Sequence, residues 1–406
     1  MSHDTSPKPD RRLRWSNWAA FALLLVLSHK VDEGIPLLET TQNAALDAAV
    51  KHAHGEASGQ SSVVLIAAAS RTDSMFGYPT RPDRLLGLVR AIDSAGAEVI
   101  GVDIKTHDTA RFGSFKDPAT RAPVVWVWVA DATNTRLNPL PPIGGNEVIH
   151  GSVGLSLAVA DEDGFFRRYR PFEESDSGLT ASFARAILHR SCEERKSGRS
   201  RNAVTKQCER AFPDTLTEVF VVNAGVSPDS AVDAWKLLTA FDNRGSNQAA
   251  WRDMASKLAG KIVLVGGEDP KDVHPTPGGT AAGVFLQSKL VESELQSTFF
   301  RIAPPEAAFL LKLALGILLM VAYVKVSPGA ALLIVASISG AVFWYVARPS
   351  AFGGYYVSVV PLLLGVLLDL IIEVHYGHSI NGFVERSARS IREAFRRFST
   401  RGTSAG

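Results

Sequence analysis

Asp272 and His274 stand two residues apart in DVHPTPGGTAAGVFLQSKLVESEL (Asp272–Leu295), ahead of a glycine-rich run and an amphipathic helical pattern. Such a stretch could hold a phosphate, a metal or an acid–base pair. As a phosphate loop, GGTAAG lacks the Lys-Ser/Thr that completes G-x-x-x-x-G-K-[ST], although amides at a helix start can still hold an anion. A dinucleotide fingerprint is missing too, because SSVVLIAAA leads into SRTDSMFGYP without G-x-G-x-x-G. GLSLA is not a nucleophile elbow. The remaining acid–base or metal candidates are Asp103, His107, Asp108, His150, Asp161, Asp163, Asp272 and His274. Carboxylates at strand ends collect at one edge of a parallel sheet, where α/β folds bind ligands, so Asp103 and Asp272 are expected to approach each other. The competing reading is ordinary turn and capping chemistry, with Asp161 and Asp163 in a turn and Asp272 capping a loop. The expectation is a ligand site built from Asp103, Asp272, His274, Thr276, Gly278 and Gly279, with no catalytic residue, no metal and no cofactor.

The elements that must position these residues alternate. SSVVLIAAA, EVIGVDI, PVVWVWVA and KIVLVGG are continuous apolar runs, and EVFVVN is a further, fourth-strand candidate. RPDRLLGLVRAIDSAGA carries Leu85, Leu88, Val89 and Ile92 at helical spacing and stops at Gly96; GVFLQSKLVESEL is a second helix. Helices between apolar strands predict an α/β, three-layer, mostly parallel sheet. VGLSLAVADEDGFFRRYRPF, with a DEDG turn between two extended runs, predicts a β-hairpin appended to that sheet.

Charged residues make up 21% of the 406 and apolar ones 46%, a balance that suits a globular domain joined to a few membrane spans. The net charge of +2 gives no case for a nucleic-acid partner. Three apolar runs, 307–324, 329–347 and 355–374, are each about 18 to 20 residues long, enough to cross a bilayer. KVSP and RPSAFGG between them are too short to fold, so the runs must zigzag, and Trp344, Tyr345, Tyr355 and Tyr356 gather as an interfacial belt would. A shorter apolar stretch, 15–28, follows Arg11, Arg12 and Arg14. It reads as an uncleaved signal anchor in preference to a cleaved signal peptide, because no A-x-A-like site follows. Basic residues precede this stretch and follow the last run (Arg386, Arg389, Arg392, Arg396, Arg397, Arg401), which puts both termini in the cytoplasm and residues 29–303 outside. Lys325 is placed at the depth of Asp369 and Glu373, where an ion pair would pin the inner end of the bundle. No polar groups run through the middle of the spans, which argues against transport.

Cys192 and Cys208 flank the polar, basic segment EERKSGRSRNAVTKQ. In an oxidising compartment a disulfide closing this loop is expected, worth about 3 kcal/mol on the chain-entropy estimate; two free, inert thiols are the alternative.

The order of RPDRLLGLVRAIDSAGAEVIGVDI, ADEDGFFRRYRPF, LAGKIVLVGG and DVHPTPGG…GVFLQSKLVESEL resembles the CHASE sensor domain of type two, from about Lys30 to Phe300. That family comprises extracytoplasmic sensory domains of bacterial receptors. The resemblance extends to one helix before the domain and three after it, and it implies a multi-pass protein of the bacterial inner membrane. Relatives usually carry a cyclase, histidine kinase, serine/threonine kinase or diguanylate cyclase after the last span. Here the tail 375–406 is expected to serve instead, with no output domain of its own. Val384, Ala388, Ile391, Phe395 and Phe398 form a 4-3-4-3 stripe backed by arginines. This stripe fits a helix lying on anionic lipid, a dimerisation or docking helix, or both.

The expected function is therefore a sensor that relays a small-molecule or envelope signal through its spans to a separate cytoplasmic effector, and not an enzyme. The small-xxx-small pair Ala336 and Gly340 points to close helix packing; the sequence leaves the oligomeric state open, a homodimer being one option. The alternatives are a non-signalling envelope scaffold and an extracytoplasmic enzyme using Asp272 and His274.

Overall fold

The computed structural model describes residues 59–67, 76, 80–104, 119–128, 153–156, 158–175, 178–200, 202, 208, 220–221, 230–269, 272–296, 300–302 and 355–356. It also describes scattered helical positions in 40–50, 306–317, 337 and 341. In chain order the elements begin with β1 (Ser61–Ile66), α1 (Pro82–Ser94), β2 (Val99–Asp103), β3 (Val124–Trp128) and β4 (Val153–Leu155). Next come β5 (Ala158–Ala160), β6 (Phe166–Tyr169), β7 (Phe172–Ser175), β8 (Gly178–Ala181) and α2 (Phe183–Lys196). Then follow β9 (Phe220–Val221), β10 (Ser230–Asp233), α3 (Ala234–Asp242), α4 (Gln248–Ser256) and β11 (Ile262–Gly267). The last are β12 (Val273–Thr276), β13 (Gly279–Ala282), α5 (Gly283–Gln296), β14 (Phe300–Ile302) and β15 (Tyr355–Tyr356).

Six strands form one sheet in the order β10-β1-β11-β2-β3-β4, and every neighbouring pair is parallel. The apolar runs of β1, β2, β3 and β11 are buried on both faces, as strands between two helical layers must be. Successive side chains alternate between two cores. Val64, Ile100, Val102, Trp126, Val263 and Val265 pack with α1 and α3, whereas Val63, Val99, Val125, Val127, Ile262 and Leu264 pack with α2 and α5. The predicted three-layer α/β arrangement is the one found. α1 forms where its spacing places it, with Pro82 opening the helix and Leu85, Leu88, Val89 and Ile92 buried.

Three expectations change. EVFVVN supplies β9, but outside the parallel sheet. That sheet is instead completed by β4 and β10, short edge strands whose VGL and SAVD carry too little apolar periodicity to be seen in the sequence. The DEDG hairpin, β5–β6, is real but is not appended to the parallel sheet. It belongs to a five-stranded sheet of order β15-β14-β9-β6-β5, in which β5–β6, β6–β9 and β9–β14 run antiparallel and β14–β15 parallel. The proline-glycine stretch is more than a loop. Val273–Thr276 and Gly279–Ala282 pair antiparallel around Pro277 and Gly278, with Gly279 at φ +112°, a conformation that its missing Cβ permits.

The chain divides into two compact units, one of Asp47–Ile302 with Ala347–Tyr356, the other of Met1–Leu46, Ala303–Val346 and Val357–Gly406. Among the described residues no helix is long and apolar enough to cross a membrane. The apolar run 15–28 lies wholly, and 329–347 and 355–374 almost wholly, outside the described residues, while 307–324 is described only at scattered helical positions; the tail stripe, Lys325, Asp369, Glu373, His107, Asp108 and His150 also lie outside.

Candidate functional site

The β12–β13 hairpin brings part of the predicted ligand set together. Asp272 Oδ1 lies 3.0 Å from Nε2 of His274, and the imidazole tilts against the ring of Phe166 with centroids 4.5 Å apart. Thr276 closes the turn by donating its hydroxyl to the carbonyl of Gly279, 2.6 Å away. Gly278 and Gly279 sit exposed at the tip. Thr276 and the two glycines therefore shape the hairpin, while Asp272 and His274 present functional groups to its surroundings: the aspartate side chain is 47% exposed and the histidine 26%.

The carboxylate of Asp272 also settles what the start of α5 can bind. A Cβ on Gly283, the first residue of that helix, would lie 2.5 Å from Asp272 Oδ2. Only glycine admits the carboxylate there, and the negative charge sits where the helix dipole favours it. An anion bound at this helix start would have to displace Asp272. The space beside the first residue of α5 is thus taken by the protein's own carboxylate.

Asp103 ends β2 in register with Gly266 of β11. Gly266 in turn is covered by Val284 of α5, one residue after Gly283. Asp103 is thus linked to Asp272 through Gly266, Val284 and Gly283 at the C-terminal end of β2 and β11. A histidine oriented by a carboxylate, backed by an aromatic ring and partly open to solvent, can donate or accept one hydrogen bond on its second nitrogen.

Asp161 and Asp163 do not join this group. Their carboxylates close on Arg167, whose NH1 lies 3.1 Å from Asp161 Oδ2 and 2.7 Å from Asp163 Oδ1. Its Nε reaches Asp47 Oδ1 at 2.6 Å, and its second terminal nitrogen reaches Asp47 Oδ2 at 3.0 Å. Burial opposes the charge on Arg167, but the hydrogen bonds it donates to Asp47, Asp163 and Asp161 outweigh it and raise its pKa. The hydrogen bond from Arg167 holds the Asp163 carboxyl below its ordinary value, against a smaller opposing effect of burial. The turn reading is also satisfied, since Asp163 accepts from the amide of Phe165.

Sequence reasoning missed a polar layer between α2 and α5. The pattern of GVFLQSKLVESEL reads as amphipathic, yet Gln287, Ser288, Glu292, Ser293 and Glu294 are all buried, because α5 is enclosed by the parallel sheet, α2 and the hairpins. Glu294 Oε1 accepts from the Tyr169 hydroxyl at 3.0 Å and Oε2 from Arg185 NH1 at 3.0 Å. Tyr169 also meets the hydroxyl of Ser182 at 2.6 Å. Burial pushes the Glu294 carboxyl up, with the Arg185 charge opposing it. Burial and the neighbouring Glu294 push the Tyr169 hydroxyl well above its ordinary value. Glu292 accepts from Ser61 of β1. A second buried pair, Glu98 with Arg195 at 2.8 Å, is joined by Ser191, Ser200 and Asn202. The one cue in the sequence is that Glu292 and Glu294 fall on a helix whose apolar residues already fill more than one face.

Cys192 and Cys208 form the expected disulfide, 16 residues apart, and both are buried in the core beneath α2. Among the described residues no group of three or more His, Cys, Asp or Glu side chains is arranged to hold a metal.

No curated protein and no solved structure matches this chain. Residues 19–323, most of the chain, match the CHASE2 domain family. The parallel sheet, the DEDG hairpin and the Asp272–Ala282 hairpin all fall inside that match, and the chain belongs to the CHASE2 family of extracytoplasmic sensor domains found in membrane receptors.

Proposed function

We propose that this protein senses a small-molecule or envelope signal outside the cytoplasm through its CHASE2 domain and relays it across the inner membrane to a cytoplasmic effector. The observation that carries this reading is the parallel pairing of β14 with β15, Arg301 opposite Tyr355 and Ile302 opposite Tyr356. In sequence β14 shortly precedes the apolar run 307–324, and β15 forms the first two residues of the run 355–374. Two strands that head into the membrane in the same direction, roughly 4.8 Å apart, must start on the same side of it. Between them lie the runs 307–324 and 329–347, one pair of crossings out and back, which agrees with the zigzag and with the basic flanks. Within 307–324, Leu310 is 62% and Ile317 39% exposed, an apolar helical stripe suited to lipid.

In this reading Asp103, Asp272 and His274 meet the ligand, the Lys325–Asp369–Glu373 group braces the inner end of the bundle, and the basic tail stripe docks the effector within a homodimer. A ligand shifts the equilibrium only as far as its affinities for two domain states differ. The test is photo-crosslinking from Ser390 in cells expressing the full chain. The expected result is a cytoplasmic enzyme or regulator whose crosslinking yield changes when Asp272→Asn is introduced. A partner captured in the same yield with and without the substitution, under every growth condition, would replace the sensor reading by the scaffold one. The topology is checked separately: Gly353→Cys is expected to react with a membrane-impermeant maleimide in intact cells, and Ser387→Cys only after permeabilisation.

The 3.0 Å Asp272–His274 pair also favours a second reading, an extracytoplasmic enzyme. It would require turnover by the purified protein that is lost in His274→Ala.

A further inference from the structure

β6, residues FRRY, touches a different part of the molecule with nearly every side chain or pairing edge. Phe166 lies against His274 of the candidate ligand hairpin. Arg167, 2% exposed, grips Asp47, one of the described helical positions between 40 and 50, which follow the apolar stretch 15–28 in sequence. Arg168 and Tyr169 pair with Val221 and Phe220 of β9, and β9 pairs with β14, which pairs with β15. The Tyr169 hydroxyl reaches Glu294 on α5, the helix that precedes β14.

We propose that β6 is the relay strand of the sensor: a change at His274 moves β6, and β6 carries with it the three places where the domain meets membrane-directed chain, namely the Asp47 segment, β14 and β15. The proposal rests on the sensor reading above and specifies how its signal is transmitted. Three physical features make β6 move as a body and not yield locally. A one-residue slip would turn every side chain of the strand to the wrong face, so its pairing with β5 and β9 is retained. The two-pronged Arg167–Asp47 contact is fixed in direction as well as distance, and separating it would leave the buried guanidinium with Asp161 and Asp163 as its carboxylate partners. The Phe166–His274 ring contact, with centroids 4.5 Å apart, is the point at which a displaced imidazole meets the strand. Arg167 is a positioning residue here; it reaches the ligand hairpin only through its neighbour on β6.

The experiment is hydrogen exchange on the full chain in lipid nanodiscs, with His274→Ala as the perturbation. Amides of Phe300–Ile302 and Tyr355–Tyr356 and those around Asp47 are expected to exchange about tenfold faster, while Val63–Leu65 in the parallel sheet stay unchanged. In an Arg167→Lys background, which keeps the charge but loses the fork, His274→Ala should still reach Phe300–Ile302 but no longer the Asp47 segment. Phe166→Leu keeps apolar bulk at a half-buried position and should confine the effect of His274→Ala to the hairpin, providing a second route should the arginine variant fold poorly. An effect of His274→Ala that stops at residues 272–282 in the otherwise native chain overturns the relay. Spread to β14 and β15 without any change in Ser390 crosslinking would leave the relay standing and remove the sensor reading. Altered crosslinking without spread would do the reverse.

Discussion

The two larger sheets solve different problems. The parallel sheet is built from apolar strands buried on both faces and joined through helices, and its order is held by side chains that have no polar alternative. The antiparallel sheet is assembled from chain segments as distant as Ala158–Ala160 and Tyr355–Tyr356, with strands of two to four residues. So few ladder hydrogen bonds cannot hold it alone. Its strand β6 is fastened by ions and hydroxyls: Arg167 to Asp47, Asp161 and Asp163, and Tyr169 to Ser182 and Glu294. Apolar packing gives a rigid platform, whereas a directional polar fastening can pass between discrete arrangements. A sensor needs both, and here they occupy separate sheets.

This contrast can be broken experimentally. Trp126→Ala, in the fully buried layer beneath α1, is expected to lower unfolding free energy by about 3–5 kcal/mol, and both sheets should melt together because the platform carries the rest. Loss of the antiparallel sheet alone would reverse the assignment of platform and attachment. Glu294→Ala leaves Arg185 buried without its carboxylate and should cost about 3 kcal/mol in denaturant unfolding. Exchange at Phe166–Tyr169 should rise before exchange in β1 and β11. Replacing Cys192 and Cys208 by serine should cost about 2–3 kcal/mol, spread over the whole domain, since the bridge ties α2 to the core and not to the antiparallel sheet.

The smallest effect expected is one of pH. Asp163 has a depressed folded-state pKa, so its increment of stability is present above the ordinary aspartate value and is lost as pH falls through the depressed one. Asp163→Asn should therefore flatten the acid limb of a Tm-versus-pH curve. Glu294, with its raised pKa, has the opposite slope: its increment is present below the ordinary glutamate value and is lost as pH rises through the raised one. An unchanged acid limb in Asp163→Asn would remove the carboxylate–Arg167 fastening as a stabilising feature.

Much of the platform was legible. β1, β2, β3 and β11 are runs of β-branched and apolar residues, α1 has unbroken helical spacing, and the two cysteines had no competing thiol. The edge strands β4 and β10 were not legible, because an edge strand needs little apolarity and gives little signal. The site was half legible. Asp272 and His274 were singled out by type and spacing, and Asp103 by its place at a strand end. Phe166, the third member of the contact, lies more than a hundred positions away and carries no local mark.

The sequence by itself determined the layers, since the period of apolar residues decides strand or helix and a strand apolar on both faces must lie between two helical layers. It also singled out the two cysteines that bridge and the Asp272–His274 pair that the structure brings together. Only the tertiary structure decided where the polar residues of α5 and β6 point. Glu294, Tyr169 and Arg167 look like surface residues in the chain, and they become internal because several distant segments close over them. Burial of a charge depends on partners brought from elsewhere, and no local pattern records who those partners will be.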